Sequence, residues 1–144
     1  MSALAVLVVL PCALLSVDAL SYPIAAKEAA AKQQPLLVLV GADWCPGCQT
    51  MKRSVLPGLS RRGGLVKVSY AAIDTDREPQ LAEQLMRGGA IPQLIVFSRQ
   101  PNGQWHREQI VGATSEQRVQ ALIARARNAQ LAKAVAVAGS AIGN

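Results

Sequence analysis

Two cysteines separated by two residues lie where an apolar segment meets an amphipathic one. Residues 36–40 are all Leu or Val, a pattern typical of a strand covered on both faces of a sheet. From Cys48 onward, Met51 and Val55 recur at the intervals of one helix face, which places Met51 in the predicted core. The motif Trp44-Cys45-Pro46-Gly47-Cys48 therefore occupies the junction between a buried strand and a helix.

A thiol at such a junction is suited to redox chemistry. Pro46 is typical of the first position of a helix, so Cys45 would face the free N–H groups of the first turn. Those groups and the helix dipole stabilise a thiolate, which lowers a cysteine pKa from its ordinary value of about 8.5. Cys48 follows one turn later, close enough to attack a mixed disulfide on Cys45. We therefore predict a catalytic, redox-active disulfide in which Cys45 attacks and Cys48 resolves.

The cysteine pair has two other conceivable uses. A bridge between residues three apart constrains the unfolded chain little, which argues against an inert, purely stabilising disulfide. A zinc ion needs about four ligands, and the only spare soft ligand is His106, which lies in a distant predicted strand. No glycine-rich phosphate-binding motif is present. We expect neither a metal nor a cofactor.

The positive charge of the chain raises the question of nucleic acid. The formal net charge is +6, and four of the basic residues, Lys52, Arg53, Arg61 and Arg62, follow the cysteines closely. Nucleic-acid binding also needs stacking platforms or a recognised reader motif, and aromatic residues make up only 3% of the chain. We expect these basic residues to form a solvated helix face and expect no nucleic-acid partner.

The N-terminus has the pattern of an export signal. Residues 3–15 are an uninterrupted apolar run, and Val17-Asp18-Ala19 after it is a small-residue cleavage pattern. We predict a signal peptide at 1–19, which removes Cys12, and a mature domain at 20–144 in the periplasm or another extracytoplasmic space. Because no Lys or Arg precedes the run, the alternative is a membrane anchor formed by residues 1–20.

The remaining segments alternate between helix and strand patterns. Asn102-Gly103 is a strong hairpin signal, and Thr114-x-x-Gln117 is a capping box that would begin the last helix. The Ala-rich tail 129–144 either prolongs that helix or frays. The predicted helices are 23–33, 46 to Pro57-Gly58, 79–87 and the one from Thr114; the predicted strands are 36–40, 66–73, 94–97 and 105–111.

These features together resemble the thioredoxin-fold family. Residues 42–48 are similar to its redox motif, Ile91-Pro92 is similar to its cis-proline segment, and Val111-Gly112-Ala113 to its glycine turn. The resemblance implies an α/β fold, a three-layer α/β/α sandwich with a mixed four-stranded sheet and a C-terminal hairpin. It also implies a protein disulfide oxidoreductase whose partners are protein thiols and disulfides.

The resemblance further implies a substrate-binding rim. Trp44, Ile91 and Pro92 would contact the substrate beside the cysteines. The alternatives are that Trp44 serves only in packing and that Pro92 simply precedes a strand with a trans bond. A cis bond would leave the backbone of Ile91 free to pair with an extended peptide. A redox-inactive, thioredoxin-like peptide-binding module is the alternative function, although such a module has no need of the two cysteines.

The segment before the cysteines narrows the resemblance. The first helix leading into 35–38 is more similar to exported relatives, such as the C-terminal domain of membrane-spanning disulfide reductases. This similarity favours a reductant. We also expect a membrane-bound redox partner that recharges the protein, and expect the protein to be a monomer. The chain departs from thioredoxin in its Pro-Gly dipeptide, and in Leu39 and Ala71, which stand where a buried acid and its lysine partner are expected. Asp43 is expected at the surface, poorly placed to serve Cys48.

Overall fold

A computed structural model of the chain describes residues 18–140. The elements are α1 (Tyr22–Lys32), β1 (Leu36–Gly41), α2 (Pro46–Thr50), a π-helical turn (Met51–Val55), α3 (Leu56–Arg61), β2 (Ser69–Asp74), α4 (Pro79–Leu85), β3 (Gln93–Arg99), β4 (Trp105–Val111) and α5 (Glu116–Ser140). Within the described residues, the four strands form one mixed sheet in the order β2-β1-β3-β4, with β1 and β2 parallel and the other neighbours antiparallel.

Helices cover both faces of the sheet, which confirms the predicted three-layer α/β sandwich. On one face, Val38 and Ile95 pack with Ala25 of α1 and Ala82 of α4. On the other face, Leu37, Leu39 and Leu94 pack with Met51, with Leu56 and Leu59 of α3, and with Val119, Leu122 and Ile123 of α5. Burying each large side chain of this kind stabilises the fold by about 1.5–3 kcal/mol.

Strand β1 lies at the centre of this arrangement. All of its residues are buried, as the unbroken apolar run predicts, because the strand has a neighbour on each side and helices above and below. The strand ends at Gly41, and a short loop leads from it to Cys45. The cysteine motif is therefore attached to the most thoroughly buried strand of the sheet.

The helix after the cysteines is longer than predicted. Its predicted end at Pro57-Gly58 is wrong, because the helical chain continues to Arg61. A proline in a helix interior removes one backbone hydrogen bond and crowds the preceding turn. Here the wider π-helical turn directly before α3, in which the Leu56 N–H bonds to Met51 O, accommodates Pro57.

The start of β2, the end of α4 and the cap of α5 also differ from the prediction. Residues 66–68 precede β2 in a turn rather than belonging to it, and α4 ends at Leu85 rather than at residue 87. The capping box at Thr114 is wrong: the backbone N–H of Arg118 bonds to Ser115 Oγ, at 3.4 Å, and α5 begins at Glu116. The hydroxyl of Thr114 is buried without a partner among the described residues.

The structure tests the prediction for the C-terminal tail but not the one for the N-terminal segment. The predicted signal peptide lies almost wholly outside the described residues, since residues 1–17 and 141–144 are not described. Leu20 pairs with the edge of the sheet, where its N–H donates to Tyr70 O at 3.1 Å. The Ala-rich tail prolongs α5 to Ser140. Within residues 18–140, no helix has both the length and the apolar character needed to cross a membrane.

Candidate active site

Cys45 caps the start of α2. Its backbone is extended, and its Sγ accepts the N–H of Cys48 at 3.2 Å, so the sulfur faces the first turn of the helix as predicted. Pro46 occupies the start of that turn, where a missing N–H leaves no bond unmade. A negative charge on this sulfur would be stabilised by the N–H it already accepts.

Cys45 and Cys48 form a disulfide, with a Cα–Cα distance of 5.2 Å. The two sulfurs are not equally accessible: Cys45 is 6% exposed, whereas Cys48 is 0% exposed. Only Cys45 therefore presents any surface to an incoming substrate. The difference supports the predicted roles, in which Cys45 attacks and Cys48 resolves from beneath.

Two glycines allow the chain to pack this tightly around the disulfide. A Cβ on Gly41 would lie 2.6 Å from the Sγ of Cys48, which no side chain tolerates. A Cβ on Gly47 would lie 3.3 Å from both the Pro92 ring and the Ala113 methyl. Glycine at position 47 of the Pro-Gly dipeptide thus lets the cysteine loop approach Pro92 closely.

The Ile91–Pro92 bond is cis, as the sequence predicts. The side chain of Ile91 packs against Ala42, Cys45 and Cys48, and Pro92 O accepts the N–H of Gly112 at 2.8 Å. Among residues 18–140, no backbone group pairs with the N–H or the carbonyl of Ile91. Ile91 therefore offers a free peptide edge beside the cysteines, and its role in substrate binding stays a prediction.

Trp44 lies at the rim and not in the core. Its side chain is 69% exposed, and the indole N–H donates to Asp76 Oδ2 at 2.9 Å. The hydrogen bond holds the ring in one orientation while leaving most of its surface open. Sequence reasoning missed Asp76, because nothing in a loop sequence shows which distant side chain an aspartate will reach.

Gln93 was also missed, although it determines the shape of the loop before Pro92. This fully buried residue accepts the N–H of Arg87 through Oε1 and donates through Nε2 to the carbonyls of Arg87, Gly88 and Ala90, at 3.0–3.2 Å. One side chain thereby satisfies four backbone groups of a turn that has no regular structure. The available signal was a single amide directly before the apolar run 94–97.

Leu39 and Ala71 were expected at the positions of a buried acid and its lysine partner, and this expectation is wrong for Ala71. Leu39 and Ala71 lie on opposite faces of the sheet, so they do not form a pair. The register pairs Leu39 with Ala72, and Tyr70 shares the same face. Burial raises the pKa of Tyr70, which stays neutral, so none of Leu39, Tyr70 and Ala72 provides an ionised group beneath the cysteines.

Asp43 lies at the surface, as predicted. Its carboxylate is 3.3 Å from Lys52 Nζ and 3.2 Å from an Arg77 nitrogen, and its side chain is 57% exposed. Of the other basic residues singled out in the sequence, Arg62 pairs with Glu116, and Arg53 and Arg61 are exposed. These positions fit the predicted solvated surface.

His106 pairs with Ser98, near the end of β3 that lies opposite to Pro92. It lies in β4, with Nε2 3.6 Å from a carboxylate oxygen of Glu108. Within the described part of the chain, no three His, Cys, Asp or Glu side chains come together as a metal site would require. A zinc site is built from about four such ligands.

Comparison with solved structures finds thioredoxins. A thioredoxin from Thermus thermophilus is 24% identical, with a TM-score of 0.63 over 77% of this chain and 87% of that chain. Chloroplastic thioredoxin z is 19% identical, with a TM-score of 0.60 over 78% of this chain and 96% of that chain. A mutant thioredoxin from Halobacterium salinarum is 27% identical, with a TM-score of 0.52 over 68% of this chain and 79% of that chain.

Sequence comparison points the same way. A search of curated protein sequences finds no match. A family model described as Thioredoxin-like matches residues 18–98, more than half of the chain, and this span includes both cysteines and Pro92. The chain belongs to the thioredoxin-like family.

Proposed function

We propose that this protein reduces disulfides in other proteins through the Cys45–Cys48 dithiol. One observation carries the proposal: the two sulfurs are joined in a disulfide of which only Cys45 keeps any exposed surface, beside the backbone of Ile91, which has no backbone partner among residues 18–140. An extended substrate segment pairing with Ile91 would place its own sulfur next to Cys45.

The reaction needs two sulfur exchanges. The Cys45 thiolate attacks one sulfur of the substrate disulfide, that S–S bond breaks, and the other substrate sulfur leaves as a thiolate and takes a proton from water. Cys48 then loses its proton and attacks Cys45 Sγ, which releases the second substrate thiol. Two electrons pass to the substrate, and the new Cys45–Cys48 disulfide must be reduced again by a dithiol donor.

The direction of electron flow is part of the proposal. The similarity of the first helix and β1 to exported reductases favours a reductant that is recharged by a membrane-bound dithiol partner. Reduction of the Cys45–Cys48 disulfide by exchange consumes two thiols, and a dithiol partner supplies both from one molecule. The proposal takes the protein to act as a monomer.

Insulin reduction tests the activity. With dithiothreitol as electron donor, the protein is expected to accelerate the precipitation of insulin B chain well above dithiothreitol alone, because Cys45 is presented to substrate disulfides. A Cys45→Ala variant is the control for contaminating catalysis. If the wild-type protein binds unfolded peptides but leaves the insulin rate unchanged, the alternative of a redox-inactive peptide-binding module is correct.

Export is proposed from the sequence pattern of residues 1–19. Expressed with its full N-terminus, the protein is expected to be cleaved after Ala19, so that N-terminal sequencing begins at Leu20. An intact Met1 on membrane-bound protein would identify an anchor instead. An intact Met1 on protein that remains in the cytoplasm would contradict export altogether.

A further inference from the structure

A cleft opens directly beside the redox pair. It has a volume of about 530 Å³ and lies between Trp44, the side of α4 and the turn that precedes Ile91. Trp44 is the neighbour of Cys45 in the chain, and Ile91 packs against Cys45. A side chain one or two positions from the reacting cysteine of a substrate would therefore reach this cleft.

The walls of the cleft are fixed before any substrate arrives. Gln93 holds the turn at residues 87–90 through its hydrogen bonds to the backbone. On the opposite side, Asp76 holds the indole of Trp44. A preformed cleft of this kind loses little conformational freedom on binding, which is the usual condition for a selective site.

Two glycines, Gly88 and Gly89, leave one wall of the cleft without side chains. A Cβ built on Gly88 or on Gly89 would meet no atom within 4 Å, so both residues border empty space. Gly88 has a φ of +78°, which favours glycine there on conformational grounds, whereas Gly89 has an ordinary backbone conformation. Position 89 therefore has room for a Cβ, and a side chain there would add bulk to the wall of the cleft.

The residues that line the cleft suit a side chain with an apolar stem and a positively charged end. Among the residues that line the cleft, Glu83 is the only charged one, and among residues 18–140 no cation forms an ion pair with it. Ala82 and Met86 are apolar neighbours on α4 and directly after it. The exposed ring of Trp44 adds a surface that attracts a cation through its π electrons.

We propose that this cleft binds a lysine or arginine side chain next to the reactive cysteine of a protein substrate, with Glu83 as the specificity-determining residue. The apolar stem of such a side chain would lie against Met86, and its charged end would reach Glu83. This inference rests on the proposed disulfide reduction and names the class of substrate that the same site prefers.

The net charge of +6 acts against a basic substrate at long range. Contact inside the cleft is local, however, and charges farther away than about 8–10 Å are screened at physiological salt. The arginines nearest in sequence, Arg77 and Arg87, do not line the cleft, and Arg77 is paired with Asp43. The one charged group on the cleft wall is therefore an acid, although Arg87 lies in sequence between two lining residues, Met86 and Gly88, and the chain as a whole is basic.

The test uses short peptides that carry one cysteine capped as a disulfide with 2-nitro-5-thiobenzoate. Attack by Cys45 on the peptide sulfur forms the Cys45–peptide disulfide and expels the coloured thiolate, so the second-order rate constant is read from absorbance. Lysine, norleucine and glutamate are compared in turn at the two positions on each side of the cysteine. We expect lysine to react about fivefold faster than norleucine in at least one position, as a solvent-exposed charge pair allows.

Two variants assign that preference to the cleft, and a third is the control. Glu83→Gln is expected to bring the lysine-to-norleucine ratio to about one, since it removes the pairing charge. Gly89→Val, whose Cβ would meet no atom within 4 Å, adds bulk to the wall of the cleft and is expected to lower the ratio in the same way. Glu78→Gln removes the same charge at the start of the same helix but outside the cleft, and is expected to keep the wild-type ratio.

The results distinguish a failure of the proposed cation preference from a failure of the proposed reductase activity. If the peptides react with the protein but lysine has no advantage at any position, or if Glu78→Gln removes the advantage as fully as Glu83→Gln, the cleft does not select cations. If no peptide reacts faster with the protein than with a free dithiol at equal concentration, the disulfide reductase function itself is wrong.

Discussion

Replacing Cys45 with alanine is expected to abolish disulfide reduction, with a loss on the order of a thousandfold or more, as for other enzymes that lose their nucleophile. Cys48 cannot substitute for it, because Cys48 is 0% exposed and lies beneath Cys45. Its sulfur also has Gly41 packed against it, at a distance that leaves no room for another group. The insulin assay measures this loss directly.

Replacing Cys48 with alanine is expected to trap substrates on Cys45. Cys48→Ala retains the attacking thiol of Cys45 but has no second sulfur to complete the reaction, so mixed disulfides with substrates accumulate. Mass spectrometry of the protein after exposure to a peptide disulfide should show one peptide per chain, lost on addition of dithiothreitol. Cys45→Ala should show none.

Thermal unfolding of both reduced variants provides the control for folding, since only variants with a cooperative transition can be compared. The assignment of roles would be overturned if Cys45→Ala trapped substrate and Cys48→Ala did not. Zinc bound stoichiometrically by the reduced wild-type protein would overturn it as well, because the two thiols would then be metal ligands.

The surroundings of the cysteines were predictable because several local signals agree there. Residues 36–40 are apolar on both strand faces, which only a central strand of a covered sheet requires. Pro46 begins a helix, and the Ile91–Pro92 segment matches a family pattern whose cis bond the structure contains. Agreement between neighbouring signals leaves few alternative folds.

Other features depend on tertiary contacts that local patterns do not contain. Pro57 ends a helix by its local preference, yet a π-helical turn before it lets the helix continue. The pairing of Leu39 with position 71 was one residue out of register. Since side chains alternate between faces, that single residue places Ala71 on the opposite face of the sheet from Leu39.

The hydrogen bonds that fix the rim of the site were also beyond sequence reasoning. Trp44 and Asp76 are 32 positions apart, and nothing in either segment indicates their contact. In the sequence, Gln93 is an ordinary polar residue before an apolar run, and its role appears only with its four backbone partners. Side chains that bond to irregular backbone are determined by the path of that backbone, which local periodicity does not predict.

The second large effect is expected in the resolution step, whose rate should rise about tenfold per pH unit through the neutral range. Cys48 must lose a proton before it attacks Cys45, and an ordinary thiol ionises near pH 8.5, so its thiolate fraction grows about tenfold per unit below that pH. Beneath the cysteines, Leu39, Tyr70 and Ala72 provide no ionised group to accept the proton. Asp43 is occupied by Lys52 and Arg77 at the surface.

Stopped-flow reaction of the reduced protein with 5,5′-dithiobis(2-nitrobenzoate) measures this step. The first coloured thiolate leaves when Cys45 attacks, and its rate depends on reagent concentration. The second leaves when Cys48 resolves the mixed disulfide, and its rate does not depend on that concentration. Because the leaving thiol stays ionised across the neutral range, the pH profile of the second phase reports deprotonation of Cys48.

Introducing an acid beneath Cys48 should flatten the profile. Leu39 lies two residues before Gly41 on the same face, roughly 7 Å farther along the strand, so a carboxylate in Leu39→Asp would reach toward Cys48 directly or through water. The buried carboxyl should also lower the free energy of unfolding by about 3–5 kcal/mol. Asp43→Asn is the matched control, because it changes a surface acid and should leave the steep profile intact. A flat profile in the wild-type protein that becomes steep in Asp43→Asn would identify Asp43 as the base, in spite of its two ion pairs.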